Sequence, residues 1–219
     1  MLNEQYFSFL SKLKFNNNKE WFTKNKPLYD NLKLDFEKIV TDFISEIATF
    51  DSEIGLLTPK DCVFRIYKDI RFSKDKTPYK TNFGAFFVSG GRKSGIAGYY
   101  LHIEPCECFL GGGIYMPPSS ILKKIREEIN CNFEEFEKII ATNNFQKYFK
   151  EISGSKTTLM PKGFDKNFRG AEYLKFKDYT LIYPIKDEFL LNKNAFKKTL
   201  EIFKAMKPFN DFLNKGLQS

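Results

Sequence analysis

The stretch from residue 65 to residue 80 concentrates side chains that could bind an anion. Its six basic residues are matched by only two acids, Asp69 and Asp75, so it carries half of the chain's formal net charge of +8. Arginine offers a planar fork of N–H donors that fits phosphate or carboxylate, and lysine adds a compact point charge. The stretch therefore predicts a site for a small anionic, phosphorylated ligand. The basic residues are Arg65, Lys68, Arg71, Lys74, Lys76 and Lys80.

Arginine is informative in this sequence because the chain has 30 lysines and only 5 arginines. Two of the five, Arg65 and Arg71, lie in the stretch, where a forked donor rather than a point charge is indicated. Asp69 and Tyr67 are the candidate catalytic residues, because a carboxylate and a phenol can exchange protons with a bound ligand. The predicted ligand-binding residues are Arg65, Arg71, Ser73, Asp75, Lys76, Tyr79 and Lys80.

A β-strand is predicted at residues 62–72, because apolar and polar side chains alternate there with a period of two. Its apolar side chains are Phe64, Ile66, Ile70 and Phe72. Its polar side chains are Arg65, Tyr67, Asp69 and Arg71. Residues 73–82 form a loop, since Pro78 and the charges oppose a regular element. We expect the returning loop to place its donors over the polar face of this strand.

The remaining pattern predicts helices at both ends of the chain and antiparallel strands between them. Asn17 is the expected N-cap of the second helix, with Glu20 completing a capping box, and Pro27 marks the start of another helix. The fold class is therefore α+β, a single domain over residues 1–219, with a mostly antiparallel sheet packed against N-terminal, middle and C-terminal helices. The strand candidates besides 62–72 are 84–88, 98–104, 108–115, 156–160 and 180–185.

Length and composition exclude several classes of protein. A chain of 219 residues with 42% hydrophobic residues can bury a core. Its longest uncharged stretch, 108–122, is too short to span a bilayer, and the N-terminus lacks the basic-then-apolar order of a secretory signal. We therefore expect a cytoplasmic protein with no membrane partner, whose four cysteines are reduced thiols.

The same basic stretch fits two other functions. A basic surface can bind nucleic acid through its phosphates, although the chain shows none of the known signatures of nucleic-acid-binding domains. Alternatively, the stretch belongs to a structural or interaction domain and forms an internal ion-pair network. The excess of donors favours an external ligand, because a structural network should approach charge balance. The sequence leaves open whether the protein is an enzyme.

His102 is the only histidine, and the sequence gives it no chemical partner. It shares strand parity with Glu104, Cys106 and Cys108, but one histidine with Cys-x-Cys is poor zinc spacing, so no metal is predicted. No Gly-x-Ser-x-Gly elbow presents a serine to it. Gly111–Gly113 lack the Gly-Lys-[Ser/Thr] sequence of a Walker loop. We predict no cofactor, and a phosphate-like anion is the only small ligand expected.

Five segments of the sequence resemble the domain-of-unknown-function family 2461, a set of conserved hypothetical proteins. The resemblance covers about residues 6–205, and it implies a compact α+β domain but no activity. The chain departs from the family pattern at Lys19 and Lys68, where the family prefers arginine, and at 165–169, where the family has a histidine-containing turn. The segments are NNNKEWFTKNKPLYD, FRIYKDIRFSKDKTPYKTNFGAFF, GYYLHIEP, FLGGGIYMP and PKGF.

Overall fold

The computed structural model describes residues 2–71 and 73–218 and has the predicted α+β architecture. Its sheet has four strands in the order β1-β2-β3-β4, and each neighbouring pair is antiparallel. Short connections join the first three strands, whereas a long helical segment separates the third from the fourth. The strands are β1 (Phe83–Phe87), β2 (Gly98–Ile103), β3 (Phe109–Ile114) and β4 (Tyr179–Pro184).

Helices make up most of the rest of the described chain. Three lie before the sheet, four lie between its third and fourth strands, and two follow the fourth strand. A short 3₁₀ helix, Ser52–Leu56, follows the second helix. The helices are α1 (Glu4–Phe15), α2 (Lys19–Ala48), α3 (Pro59–Cys62), α4 (Ser119–Cys131), α5 (Phe133–Ile140), α6 (Asn143–Tyr148), α7 (Ala171–Leu174), α8 (Asp187–Leu191) and α9 (Ala195–Gln218).

Helix α2 is one element of 30 residues, so the helix start predicted at Pro27 is wrong. Proline removes one backbone hydrogen bond and disfavours a helix interior. The helix continues because buried side chains at helical spacing hold both of its halves against the core. Its N-cap is Asn18, whose side chain accepts a 3.0 Å hydrogen bond from the Trp21 N–H, and not the predicted Asn17.

The inner face of the sheet carries the core. Phe83 and Phe87 of β1 are buried there, as are the residues that alternate in phase with them on β2. The ring of Phe83 contacts Phe36 of α2, and the ring of Phe87 contacts Phe43 of α2 and Phe203 of α9. Because aromatic rings from α2 and α9 meet these strand residues, the two long helices cover this face and fix its position.

The outer face of the sheet carries the residues that alternate with the core set. The strand register places the outer-face residues of β1, β2 and β3 in neighbouring rows. The aromatic and imidazole rings among them are half-buried, and glycines lie between them. The outer-face residues of these three strands include Gly84, Phe86, Tyr100, His102, Phe109 and Gly111.

Residues 62–72 do not form the predicted strand; Phe72 lies outside the described residues. The described residues of the segment are paired only locally. Val63 bridges to Ala85 at the edge of β1, and Tyr67 bridges to Tyr79 in the returning chain. The alternation of side chains did not suffice to predict a strand, because a continuous strand also needs a continuous partner. The strand predicted at 156–160 is likewise reduced to a single bridge.

Candidate functional site

Asp69 and Arg71 pair with each other on the protein surface. Arg71 donates from Nε and Nη2 to the two carboxylate oxygens of Asp69, at 2.9 and 2.6 Å. These hydrogen bonds lower the pKa of Asp69 to about 2. The carboxylate therefore stays ionised and is a weak base, which does not favour the catalytic role predicted for it. Both side chains are exposed, Arg71 at 75% and Asp69 at 47%.

The lysines of the loop donate most of their hydrogen bonds to acceptors within the stretch 65–80. Lys68 donates to Asp75 Oδ2 at 2.8 Å and to the Thr77 hydroxyl at 2.7 Å. The contact with Lys68, together with hydrogen bonds from Thr77, lowers the pKa of Asp75 to about 2. Lys76 donates to the Ile70 carbonyl at 3.0 Å. Lys68, Asp75 and Lys76 thus hold the shape of the loop, and Ser73 lies half-buried beside them.

Tyr79 anchors the loop to the helices rather than facing a ligand. Its side chain is buried and its ring stacks on Phe22 of α2 at 4.0 Å between centroids. The side chain of Asn17 donates to the Tyr79 carbonyl at 2.9 Å and accepts from the Tyr79 N–H at 3.1 Å. Tyr67 packs against Tyr79 and is itself 47% exposed. The sequence analysis missed this use of Asn17, which it had assigned as a helix cap.

Two cations, Lys80 and Arg92, lie over the ring of Phe64, and the positive charge of Arg65 also acts on Lys80; we call these three residues the cation cluster. Lys80 Nζ lies 5.1 Å from the centroid of that ring, and Arg92 Cζ lies 5.4 Å from it. Arg65 and Lys80 form no hydrogen bond or ion pair with any side chain in the described part of the chain. Burial lowers the pKa of Lys80, and the positive charges of Arg65 and Arg92 lower it further.

Arg92 is fixed in the cation cluster by backbone carbonyls. It donates to the carbonyls of Lys60 and Asp61 at 2.9 Å each, and also to that of Val63. These neutral acceptors orient the guanidinium without cancelling its charge. Arg92 lies between β1 and β2, and the sequence analysis gave it no role. Its rarity, as one of five arginines, was the signal that could have found it.

A hydrogen-bonded row crosses the outer face beside the cation cluster, and we call Tyr100, His102 and Glu104 the β2 triad. The Tyr100 hydroxyl lies 2.8 Å from His102 Nδ1, and His102 Nε2 lies 3.1 Å from Glu104 Oε2. The Glu104 carboxylate also accepts a 2.6 Å hydrogen bond from the Thr81 hydroxyl. The Tyr100 ring meets Phe64 edge-on, 6.0 Å between centroids. The β2 triad and the cation cluster therefore share one phenyl ring.

Burial controls protonation in the β2 triad. It lowers the pKa of His102 below the ordinary 6.5, against the opposing effect of Glu104. It raises the pKa of Tyr100, and the charge of Glu104 raises it further. At neutral pH the imidazole is therefore neutral and the phenol is protonated. Since a carboxylate accepts, the imidazole proton lies on Nε2, and Nδ1 accepts from Tyr100.

The structure brings together only part of the predicted site. Arg65 and Lys80 lie together in the cation cluster, whereas Asp69 and Arg71 form their own exposed pair. Tyr79 faces the core. The described residues contain no group of three or more His, Cys, Asp and Glu side chains arranged to hold a metal ion. Within the same residues, no helix is both long and apolar enough to cross a membrane.

Comparison with known proteins gives a family and nothing more. The family model described as "Conserved hypothetical protein (DUF2461)" matches residues 5–212, which is most of the chain. No curated protein and no solved structure matches the chain. A function must therefore be argued from the site itself.

Proposed function

Since the chain belongs to the conserved hypothetical protein family DUF2461, which brings no activity with it, we propose a function from the site: binding of a small phosphorylated ligand at the cation cluster. One observation carries the proposal. Lys80 and Arg92 lie over the ring of Phe64, the charge of Arg65 acts on Lys80, and none of the three forms an ion pair with a carboxylate among residues 2–71 and 73–218.

Convergence of like charges costs stability. Lys80 is half-buried and loses hydration, and the two nearby guanidinium groups repel its ammonium. A fold that needed only packing at this position could use an uncharged side chain. A bound anion would reverse the repulsion and replace the lost hydration, because each cation would then have an opposite charge in contact. A cluster of cations that no carboxylate neutralises is typical of an anion-binding site.

The donor set suits phosphate. Arg65 can offer its forked N–H groups, and Lys80 supplies a point charge. Arg92, whose donors point to backbone carbonyls, contributes its field from a fixed position. A phosphate with two negative charges would match these three cations more closely than a single carboxylate would. The predicted ligand-binding roles of Arg71 and Lys76 do not enter the proposal, since their contacts stabilise the loop.

Single-stranded nucleic acid is the second candidate ligand. The outer face carries half-exposed aromatic rings, Phe86, Tyr100 and Phe109, on an antiparallel sheet, and cations lie at its edge. Bases can stack on such rings while phosphates contact the cations. This candidate predicts that an oligonucleotide binds more tightly than inorganic phosphate and loses affinity steeply as salt rises. The same affinity for both would favour the small ligand.

The structural interpretation has less support. It relied on a buried ion-pair network in the stretch 65–80. The bidentate pair between Arg71 and Asp69 is exposed, and solvent screening leaves exposed pairs with little effect on stability. We therefore expect Asp69→Ala to leave the free energy of unfolding nearly unchanged. A loss of several kcal/mol in a denaturant titration would restore the structural interpretation.

Lys80→Met tests the proposed function directly. Methionine keeps the apolar stem against Phe64 and removes the charge, so phosphate affinity should fall at least about tenfold, which corresponds to losing one charge-assisted contact. Calorimetric titration of the full chain with inorganic phosphate at low salt measures the change. The variant should also be slightly more stable than the parent, because the repulsion from Arg65 and Arg92 is relieved.

The matched control is Lys74→Met, which removes an exposed lysine from the same loop. It should bind phosphate like the parent protein. Equal affinity in Lys80→Met and the parent would contradict the proposed function. An equal loss in both variants would show that binding depends on overall charge rather than on the cation cluster.

A further inference from the structure

We propose that the β2 triad is a proton-transfer site acting on the phosphorylated ligand, an inference that rests on the proposed function. In the proposed step a protonated phosphate oxygen of the ligand gives its proton to the Tyr100 oxygen. Tyr100 passes its own hydroxyl proton to His102 Nδ1. The ligand becomes a dianion beside the cation cluster, and His102 becomes an imidazolium whose Nε2–H stays hydrogen-bonded to Glu104. No atom is gained or lost.

The direction of the step follows from the hydrogen bonds. His102 Nδ1 receives the Tyr100 hydroxyl at 2.8 Å and also faces the amide nitrogen of Asn82 at 3.4 Å, and both groups are donors. Nδ1 is therefore the basic atom of the ring, while Nε2 is committed to Glu104. A hydroxyl donating to an imidazole that is oriented by a carboxylate is the arrangement through which proteins activate a hydroxyl.

Gly84 has no side chain and so leaves room for the Tyr100 hydroxyl. Residue 84 of β1 lies opposite His102 in the strand register and is a glycine. A Cβ at this position would lie 2.7 Å from the Tyr100 hydroxyl oxygen and 3.3 Å from the Asn82 amide nitrogen. Alanine would therefore displace the hydroxyl from its hydrogen bond. The backbone of Gly84 has no left-handed conformation that would explain the glycine by itself.

The location joins the triad to the proposed ligand. The Tyr100 ring, the Lys80 ammonium and the Arg92 guanidinium all contact the ring of Phe64. The other charged or titratable groups that act on His102 are Glu104, directly after strand β2, and Glu107 in the following turn. On its remaining sides the imidazole meets Asn82 and stacks on Phe109 at 4.6 Å between centroids. A ligand dianion would thus add a negative charge near an imidazole that burial keeps neutral.

His102 can be observed alone, because it is the only histidine. We would label the imidazole nitrogens of the full chain and follow their NMR signals against pH, with and without saturating inorganic phosphate. Without phosphate the neutral ring should carry its proton on Nε2. With phosphate the pKa of His102 should rise by about one unit, since a dianion and a proton-accepting hydroxyl favour the imidazolium.

Two variants separate the triad from the binding site. Tyr100→Phe keeps the ring and removes the hydroxyl, so phosphate should still bind while the response of His102 to phosphate falls sharply. Gly84→Ala should have the same effect by displacing the hydroxyl. Calorimetry on the same samples reports phosphate binding independently of His102, and the unchanged NMR signals of core residues report that each variant is folded.

The outcomes distinguish the two proposals. A proton on Nδ1 in the free protein overturns the proton-transfer site whatever phosphate does. Phosphate that binds by calorimetry without changing the pKa of His102, or that changes it equally in Tyr100→Phe, overturns the proton-transfer site and leaves the proposed function intact. Absence of phosphate binding in the parent protein overturns both. Binding with a pKa rise that needs the Tyr100 hydroxyl supports both.

Discussion

Gly113→Ala is expected to lower the free energy of unfolding by about 3 kcal/mol, a large effect for the addition of one methyl group. Gly113 has a φ of +90°, which side chains rarely adopt, and a Cβ there would lie 2.0 Å from the Tyr179 carbonyl oxygen. The β3–β4 ladder must therefore open or shift. The Gly113 N–H also donates to Asn210 of α9 at 2.8 Å, so a shift would disturb the helix contact as well.

Gly163→Ala is the matched control for this prediction. Gly163 has nearly the same φ, +93°, but no atom lies within 4 Å of the position a Cβ would take. The variant should lose only the backbone strain, about 1 kcal/mol. Urea titrations of both variants would measure the difference between them. Equal losses would mean that the close approach to Tyr179 relaxes without cost and that φ alone requires the glycine.

The fold was largely predictable because most of its helices and strands follow from the spacing of apolar residues along the sequence. Helical and alternating apolar spacing located the terminal helices and all four strands of the sheet. The errors arose where tertiary contacts outweigh local preference. Pro27 is a local signal for a helix start, but buried residues on both sides of it pack against the same core. The segment 62–72 has the spacing of a strand, yet the edge of β1 offers it only brief pairing.

For the candidate site, the sequence indicated a region but not the contacts of individual residues. The excess of cations drew attention to residues 65–80, and two of its cations, Arg65 and Lys80, belong to the proposed site. It could not show that Asp69 and Arg71 satisfy each other, because that pairing depends on the backbone path. Nor could it show Arg92, which reaches the site from the β1–β2 connection. Likewise, His102 stood out by type, but its partners are set by strand register and by the hydrogen bond from Tyr100.

The inner and outer faces of the sheet differ in how far their residues can be interpreted from the sequence. On the inner face, each side chain is specified by packing, and hydrophobic pattern predicts it. On the outer face, glycines, aromatic rings and titratable groups alternate with no apolar period. Local rules fail there because the outer face contributes little to the core, and its residue types are therefore free to serve binding.

Asn17→Ala is expected to lower the free energy of unfolding by about 2 kcal/mol, because it leaves two backbone groups of a buried residue without partners. Asn17 holds both the N–H and the carbonyl of Tyr79, whose ring is stacked on Phe22. Tyr79 directly precedes Lys80, so loosening its backbone should also weaken phosphate binding. The charge of the cation cluster is unchanged in this variant. Any loss of phosphate affinity would therefore result from a change in the position of Lys80.

Asn16→Ala controls for the asparagine-rich turn. Asn16 is exposed, and its side chain donates only to the Lys12 carbonyl at the end of α1. Its replacement should cost about 0.5 kcal/mol and leave phosphate affinity unchanged. Denaturant titration and calorimetry on both variants test this. If Asn17→Ala lost stability but bound phosphate normally, the hydrogen bonds from Asn17 to Tyr79 would hold the loop without positioning Lys80. The expected dependence of phosphate binding on Asn17 would then be refuted.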